Sequence, residues 1–167
     1  MSKIAEYEHV EHTFKPVYDE NSKVLILGSF PSVKSREQNF YYGHPRNRFW
    51  KVIANITNTD VPESIEDKKK MLLKNHIAIW DVIKSCSIKG SSDSSIKDVV
   101  VNDIAEVVRN SKIDRIFANG DKAFKLYKKY CKDIEIEIEK LPSTSPANAA
   151  YSIDRLIDEW KVIICAK

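Results

Sequence analysis

The sequence predicts an α/β protein, a three-layer α/β/α sandwich around a mostly parallel four-stranded sheet. Three observations point there. Short apolar runs recur along the chain, segments with helical spacing fall between them, and 167 residues with 43% hydrophobic side chains suffice for one domain with one core.

The elements follow in order. Residues 1–22 read as an irregular lead-in packed on the domain. Lys23-Val-Leu-Ile-Leu-Gly28 is a continuous apolar run ending in glycine, the pattern of a strand buried on both faces. Arg48 to Ile56 looks helical, and Ser64-Ile-Glu-Asp67 fits a capping-box start. Ile77-Ala-Ile-Trp-Asp81 is the second strand. Ser95-Ile-Lys-Asp98 is another capping box, and Ile96, Val99, Val100, Ile104, Val107 and Val108 recur at helical spacing, so one helix is expected from Ser95. Ile113 to Ala118 is the third strand, and Ala123, Phe124, Tyr127 and Cys131 mark a helix after Gly120. Ile134-Glu-Ile-Glu-Ile-Glu-Lys140 alternates strictly, as an edge strand with one wet face does. Tyr151 to Ile163 supplies a last helix. The Ser-rich loop Ser91–Ser95 is too short to be a linker, so residues 1–167 form a single domain.

The charge balance, 27 Lys and Arg against 24 Asp and Glu, excludes a polycation that coats nucleic acid indiscriminately but permits a local basic surface. Bases gather at Lys34, Arg36, Arg46, Arg48 and Lys51, and again at Lys122, Lys125, Lys128, Lys129 and Lys132; a solvated face explains such clusters equally well. No run approaches the roughly 18 apolar residues of a spanning helix, and residues 1–22 lack a signal-peptide centre. Cys86, Cys131 and Cys165 form no short-spaced pair, so neither a zinc knuckle nor a disulfide framework is expected. They read as small buried residues in a reducing cytoplasm.

Open parallel sheets place ligands outside the carboxyl ends of their strands. Here those ends are Gly28–Ser32, Trp80–Val82, Asn119-Gly120 and Leu141–Pro146, and all four should face a common crevice. The richest stretch is Tyr41-Tyr-Gly-His-Pro-Arg-Asn-Arg-Phe-Trp50. Aromatic faces stack on a nucleobase, an amide reads its edge and arginines hold phosphate, so a nucleobase site is plausible from composition.

Gly28-Ser-Phe-Pro31 followed by His44-Pro-Arg-Asn-Arg-Phe-Trp50 resembles the mismatch-specific branch of the uracil-DNA glycosylase superfamily. Leu27-Gly-Ser-Phe-Pro-Ser32 with Tyr41-Tyr-Gly-His-Pro-Arg-Asn47, and the late Leu141-Pro-Ser-Thr-Ser-Pro-Ala-Asn148, resemble its hypoxanthine-DNA (deoxyinosine) glycosylase branch more closely. With Trp80-Asp-Val82 and Gly90-Ser-Ser-Asp93, the matches span residues 23–150. The resemblance implies a monofunctional, monomeric enzyme whose partner is DNA carrying deaminated bases. It flips a nucleotide out of the duplex and hydrolyses its N-glycosidic bond without metal or cofactor. Hypoxanthine is the expected base; a uracil or mismatch glycosylase, or a non-catalytic nucleic-acid-binding module on the same fold, are the alternatives.

Two departures from the family pattern shape the expected site. Phe30 stands where the uracil-acting branches carry a water-directing Asp or Asn, and Leu141 opens the second motif where they carry His or Asn. The catalytic residue is therefore expected to be Asn47, binding the base and placing the water, with His44 assisting. An N-cap of the helix beginning near Arg48 suits Asn47 equally, and the two roles are compatible. Base-binding residues implied are Ser29, Phe30, Tyr42, Asp81 and Asn119, with Tyr42 stacking and Asp81 accepting the N1–H of hypoxanthine. Structural uses remain open beside these: core packing for Tyr42, backbone amides for Asp81, a cap for Asn119. DNA contacts are expected from Ser32, Ser35, Arg46, Lys122, Ser143, Thr144, Ser145, Pro146 and Asn148, with Thr144 and Pro146 filling the gap left by the flipped base.

Overall fold

The computed structural model describes residues 6–164. The chain opens with β1 (Glu8–Glu11) and β2 (Val24–Gly28), followed by α1 (Val33–Gln38), α2 (Phe49–Ile56) and α3 (Ile65–Lys74). β3 (Ile77–Asp81) runs almost directly into β4 (Ile83–Ile88), and β5 (Lys97–Val101) and α4 (Ile104–Arg109) come next. β6 (Arg115–Asn119), α5 (Asp121–Tyr130), β7 (Ile138–Leu141) and α6 (Ile153–Trp160) complete the order, closed by a 3-10 turn over Lys161–Ile164.

A parallel sheet of order β3-β2-β6-β7 forms the middle layer. Every residue of β2 is buried, as an apolar run at the centre of such a sheet must be. Its side chains alternate between two cores. Val24 and Ile26 join Phe49, Ile53, Leu72, Leu156 and Trp160 on the face covered by α2, α3 and α6. Leu25 and Leu27 join Ile83, Cys86, Ile104, Val107 and Leu126 on the face covered by α4, α5 and β4. The three-layer α/β sandwich expected from the sequence is thus observed, and the four strand ends at Gly28, Asp81, Asn119 and Leu141 lie along one rim.

The structure corrects three expectations. The lead-in is not irregular throughout: β1 pairs antiparallel with β4, and Val17 bridges to Ile79. The helix does not begin at Ser95. Lys97–Val101 is a strand on β4, where its β-branched run fits a pleated surface, and α4 starts later, at Ile104, capped by Asp103, whose carboxylate accepts the Glu106 amide. Finally, β7 covers only Ile138–Leu141: its pairing with β6 begins at Ile116↔Ile138, and residues 134–137 lie outside the strand. It does lie at the sheet edge, as read. Elsewhere the caps hold: Ser64 Oγ accepts the Asp67 amide at 3.0 Å. Cys86 and Cys131 are buried and free, and burial, with Asp133 adding to it, pushes the Cys131 thiol up to about 11; Cys165 lies outside the described residues. No helix among the described residues is long and apolar enough to cross a membrane.

Candidate active site

A cavity of about 390 Å³ opens at the carboxyl ends of β2, β3 and β6, walled by the loop before α2 and the loop after β7. The floor is Gly28 and Asp81, which are register partners on neighbouring strands. A Cβ on Gly28 would stand 2.4 Å from Asp81 Oδ1 and 3.2 Å from the Tyr42 hydroxyl oxygen. Only glycine lets that carboxylate sit there. The residue is 3% exposed. Its Oδ2 lies 2.8 Å from Nε2 of His12, an imidazole enclosed by Phe14, Phe30 and Tyr41. Asp81 Oδ1 has no hydrogen-bond partner among the described residues and is left to the cavity. The alternative use of Asp81, on backbone amides, is not observed.

Asn47 serves the helix start, but from one residue before the expected place: the N-cap of α2 is Arg48, which makes no side-chain cap bond, and Asn47 braces the first turn from outside it. Its Oδ1 accepts the Phe49 amide at 2.9 Å, bracing the start of α2, and the Thr144 hydroxyl at 2.8 Å. The oxygen is saturated, which fixes the amide orientation and leaves Nδ2, without a protein partner among the described residues, as a donor in the cavity wall. Asn119 also lines the cavity, but its carboxamide is engaged in holding Thr144: Oδ1 accepts the Thr144 amide and Nδ2 donates to the Thr144 hydroxyl, both at 3.0 Å. A chain of donors therefore runs from Asn119 through Thr144 to Asn47. Thr144 is 0% exposed, so it cannot enter a duplex as expected; it positions Asn47 instead.

Tyr42 stacks on Phe49 with ring centroids 4.0 Å apart, and its backbone is in the left-handed region at φ 53°. An aromatic residue held there is strained, which the surrounding contacts must over-determine. Its hydroxyl is buried without a hydrogen bond. Burial and then the Asp81 charge raise the phenol well above the usual tyrosine value, while the neighbouring Asn119 amide acts in the opposite direction.

His44 borders the cavity with Nδ1 accepting the Arg46 amide at 3.1 Å, so its Nε2 carries the proton and donates. Ser29 and Phe30 complete the wall beside Gly28. The Ser29 hydroxyl donates to Asp93 Oδ1 at 2.9 Å, placing at the rim a carboxylate left without a role in the sequence reading. Asp93 as a whole is exposed, but partial desolvation of its carboxyl at the rim raises it above the ordinary aspartate range; the Ser29 hydrogen bond and the Lys122 charge oppose this, and the Asp81 charge adds to it.

The DNA-contact residues divide. Ser32, Ser143, Ser145 and Pro146 line the cavity mouth. Ser35 also lines the cavity, and its buried hydroxyl accepts the Gly43 amide at 2.9 Å, bracing the loop. Asn148 stands outside the cavity, and its Nδ2 donates to the Ser143 carbonyl at 3.0 Å. Arg46 is exposed outside the cavity, and Lys122 bears on it only through Asp93. Sequence reading missed His12, Arg48 and Asp93 as site residues. Arg48 donates to the carbonyls of Thr144, Ser145, Asn148 and Tyr151, clamping the loop after β7 against α2. No spacing betrays that pairing, which crosses about a hundred residues.

A crevice that combines a buried carboxylate, a fixed amide donor and an aromatic ring at the ends of parallel strands defines a nucleobase-handling α/β protein. The comparisons are more specific. The family model of the uracil DNA glycosylase superfamily matches residues 15–163, and the chain belongs to that superfamily. It is 37% identical over 158 residues to a protein named hypoxanthine DNA glycosylase from Methanosarcina acetivorans, covering 92% of this chain and 98% of that one. A second hypoxanthine DNA glycosylase, from Methanosarcina barkeri, is 34% identical over 139 residues, covering 81% and 86%. The solution NMR structure of a candidate uracil DNA glycosylase from M. acetivorans superposes with a TM-score of 0.79 at 37% identity, covering 90% of this chain and 94% of that one. The fold and family expected from the sequence are borne out.

Proposed function

We propose that this protein releases hypoxanthine from deoxyinosine in DNA by hydrolysing the N-glycosidic bond of an extruded nucleotide, leaving an abasic site. The observation that carries the reading is Asp81 Oδ1, an open acceptor on the cavity floor. It accepts the N1–H of hypoxanthine, whereas adenine offers a lone pair at N1 and is repelled. The two hypoxanthine DNA glycosylases similar over most of the chain support the same base.

The remaining groups fit the chemistry. The face of Tyr42 not covered by Phe49 stacks on the base. As the C1′–N9 bond breaks, charge builds on the departing base, and the Nδ2–H of Asn47 and Nε2–H of His44 donate to it. A bare carboxylate under the base would oppose that charge; the His12 hydrogen bond on Oδ2 draws density away from it. Ser32, Ser143, Ser145, Arg46 and Lys122 serve the phosphates, and Pro146 the gap in the stack. No lysine lines the cavity among the described residues, which suits hydrolysis by water rather than a Schiff base.

Uracil also presents an N–H beside a carbonyl, so Asp81 does not by itself exclude it, and the similar NMR structure is that of a candidate uracil DNA glycosylase. Otherwise identical duplexes carrying inosine, uracil or xanthine, incubated with the protein and cleaved with alkali, decide the matter. Strand breaks should be fastest at inosine; breaks at uracil with none at inosine would establish the uracil reading in its place.

A further inference from the structure

The proposed reaction needs a group that takes a proton from the attacking water, and most acceptors in the cavity are already committed. Asn47 Oδ1 holds two donors, from Phe49 and Thr144. Asn119 Oδ1 holds the Thr144 amide, and His44 Nδ1 holds the Arg46 amide. Asp81 has Oδ2 on His12 and Oδ1 on the floor, where the base itself would cover it. Phe30 offers no acceptor at all. One anionic group is left, the carboxylate of Asp93.

Its placement is specific. Oδ1 accepts the Ser29 hydroxyl at 2.9 Å, and Oδ2 has no hydrogen bond among the described residues. Asp93 borders both the central cavity and an adjoining cleft of about 630 Å³, so it stands at the rim with water on one side. A base on the floor against Asp81 would leave its sugar at the cavity mouth, which Asp93 borders together with Ser32, Ser143 and Pro146. The loop is fixed as well: the Val33 amide donates to Ser91 Oγ at 2.9 Å, the Arg36 guanidinium to the Gly90 carbonyl at 2.7 Å, and the Lys89 amide to Ser95 Oγ at 2.9 Å.

We propose that Asp93 is a further catalytic residue, the general base that orients and deprotonates the attacking water. The step rests on the reading of the cavity as a glycosylase site. The C1′–N9 bond breaks with its electron pair leaving on the base, and the sugar gains oxocarbenium character. Water oxygen bonds to C1′, its proton passes to Asp93 Oδ2, and from there through solvent to the released base. Water and nucleoside are consumed; free base and a C1′ hydroxyl are formed. The negative charge of Asp93 also faces the developing sugar cation. The groups that set its protonation are the Ser29 hydroxyl on the loop after β2, Lys122 on α5 and Asp81 on β3; the neutral Cys86 thiol on β4 lies near it without setting it.

Asp93→Asn tests this, because an asparagine oxygen still accepts the Ser29 hydroxyl and keeps the loop in place. Single-turnover release of hypoxanthine should fall about 100-fold or more. The acid limb of the wild-type rate profile, where protonation of Asp93 removes the base at a higher pH than for an ordinary aspartate, should vanish in the variant. Affinity for a duplex carrying non-hydrolysable 2′-fluoro-deoxyinosine should stay within about threefold of wild type, as loss of a group used mainly in the transition state implies. A variant that retains the wild-type rate, or whose slower rate keeps the same acid limb, overturns the inference while leaving hypoxanthine release by the wild type standing. A wild type that releases no hypoxanthine overturns the functional reading and the inference with it.

Discussion

Asn47→Asp should abolish hypoxanthine release while leaving the protein as stable as the wild type. An aspartate at this position still accepts the Phe49 amide and the Thr144 hydroxyl, so the start of α2 and the loop after β7 stay in place. A negative charge beside the N-terminus of α2 is, if anything, favourable. What disappears is the Nδ2–H donor, and a charge of the wrong sign replaces it opposite a base that leaves with negative charge. Losing one such donor costs about 10²–10³ in rate, and the added repulsion deepens the loss. Asn47→Ala provides the contrast. It removes the donor and also strands a helix-start amide and a buried hydroxyl, so it should lose activity and about 1–3 kcal/mol of stability together. Single-turnover assays beside urea unfolding separate the two roles of the side chain. An Asp variant with nearly wild-type turnover would show that Asn47 is a brace for its helix and nothing more.

A brace at a helix start and the proposed catalytic amide call for the same residue in the same place, which is why the sequence left Asn47 open between them. Much of the rest was readable for a simple reason. A strand buried on both faces, such as Val24–Gly28, can only be apolar, and its carboxyl end marks the crevice in any open parallel sheet. The small antiparallel sheet was hidden because its strands carry no such signal. Glu8–Glu11 is mostly exposed, and Val99, Val100, Ile104 and Val107 mimic a helical stripe although the first two belong to a strand. With β1 invisible, so was His12. It reaches Asp81 only because β3 turns directly into β4 and β4 pairs with β1, which carries the end of the lead-in back to the floor of the cavity. The partners are 69 residues apart, and no local pattern encodes them. Thr144 failed in the opposite direction. A Pro- and Ser-rich segment looks like a surface wedge, but two carboxamides and Arg48 draw its central residue fully inside.

Asp81→Asn should invert the preference at the floor of the cavity. The carboxamide oxygen would keep the hydrogen bond of a donating His12 Nε2–H, so the amide nitrogen turns toward the cavity where Oδ1 now stands. That nitrogen only donates. Against hypoxanthine it meets the N1–H head on, two donors with no acceptor between them in a site with little water, at a cost of about 3 kcal/mol or about 100-fold in release. Against adenine the same nitrogen meets the N1 lone pair and makes the bond that the aspartate refuses. The variant should therefore lose inosine processing and gain affinity for a duplex carrying an extrudable adenine, read as competition against labelled 2′-fluoro-deoxyinosine duplex. With its proton on Nε2, His12 sets the direction; without it either end of the amide could face the base. His12→Phe, which keeps a ring against Phe14 and Phe30 but removes the hydrogen bond, should accordingly blunt the inversion in the double variant. An Asp81→Asn protein that still favours inosine over adenine by the wild-type margin would place base recognition elsewhere in the cavity and leave the buried His12–Asp81 pair as a brace between β1 and β3.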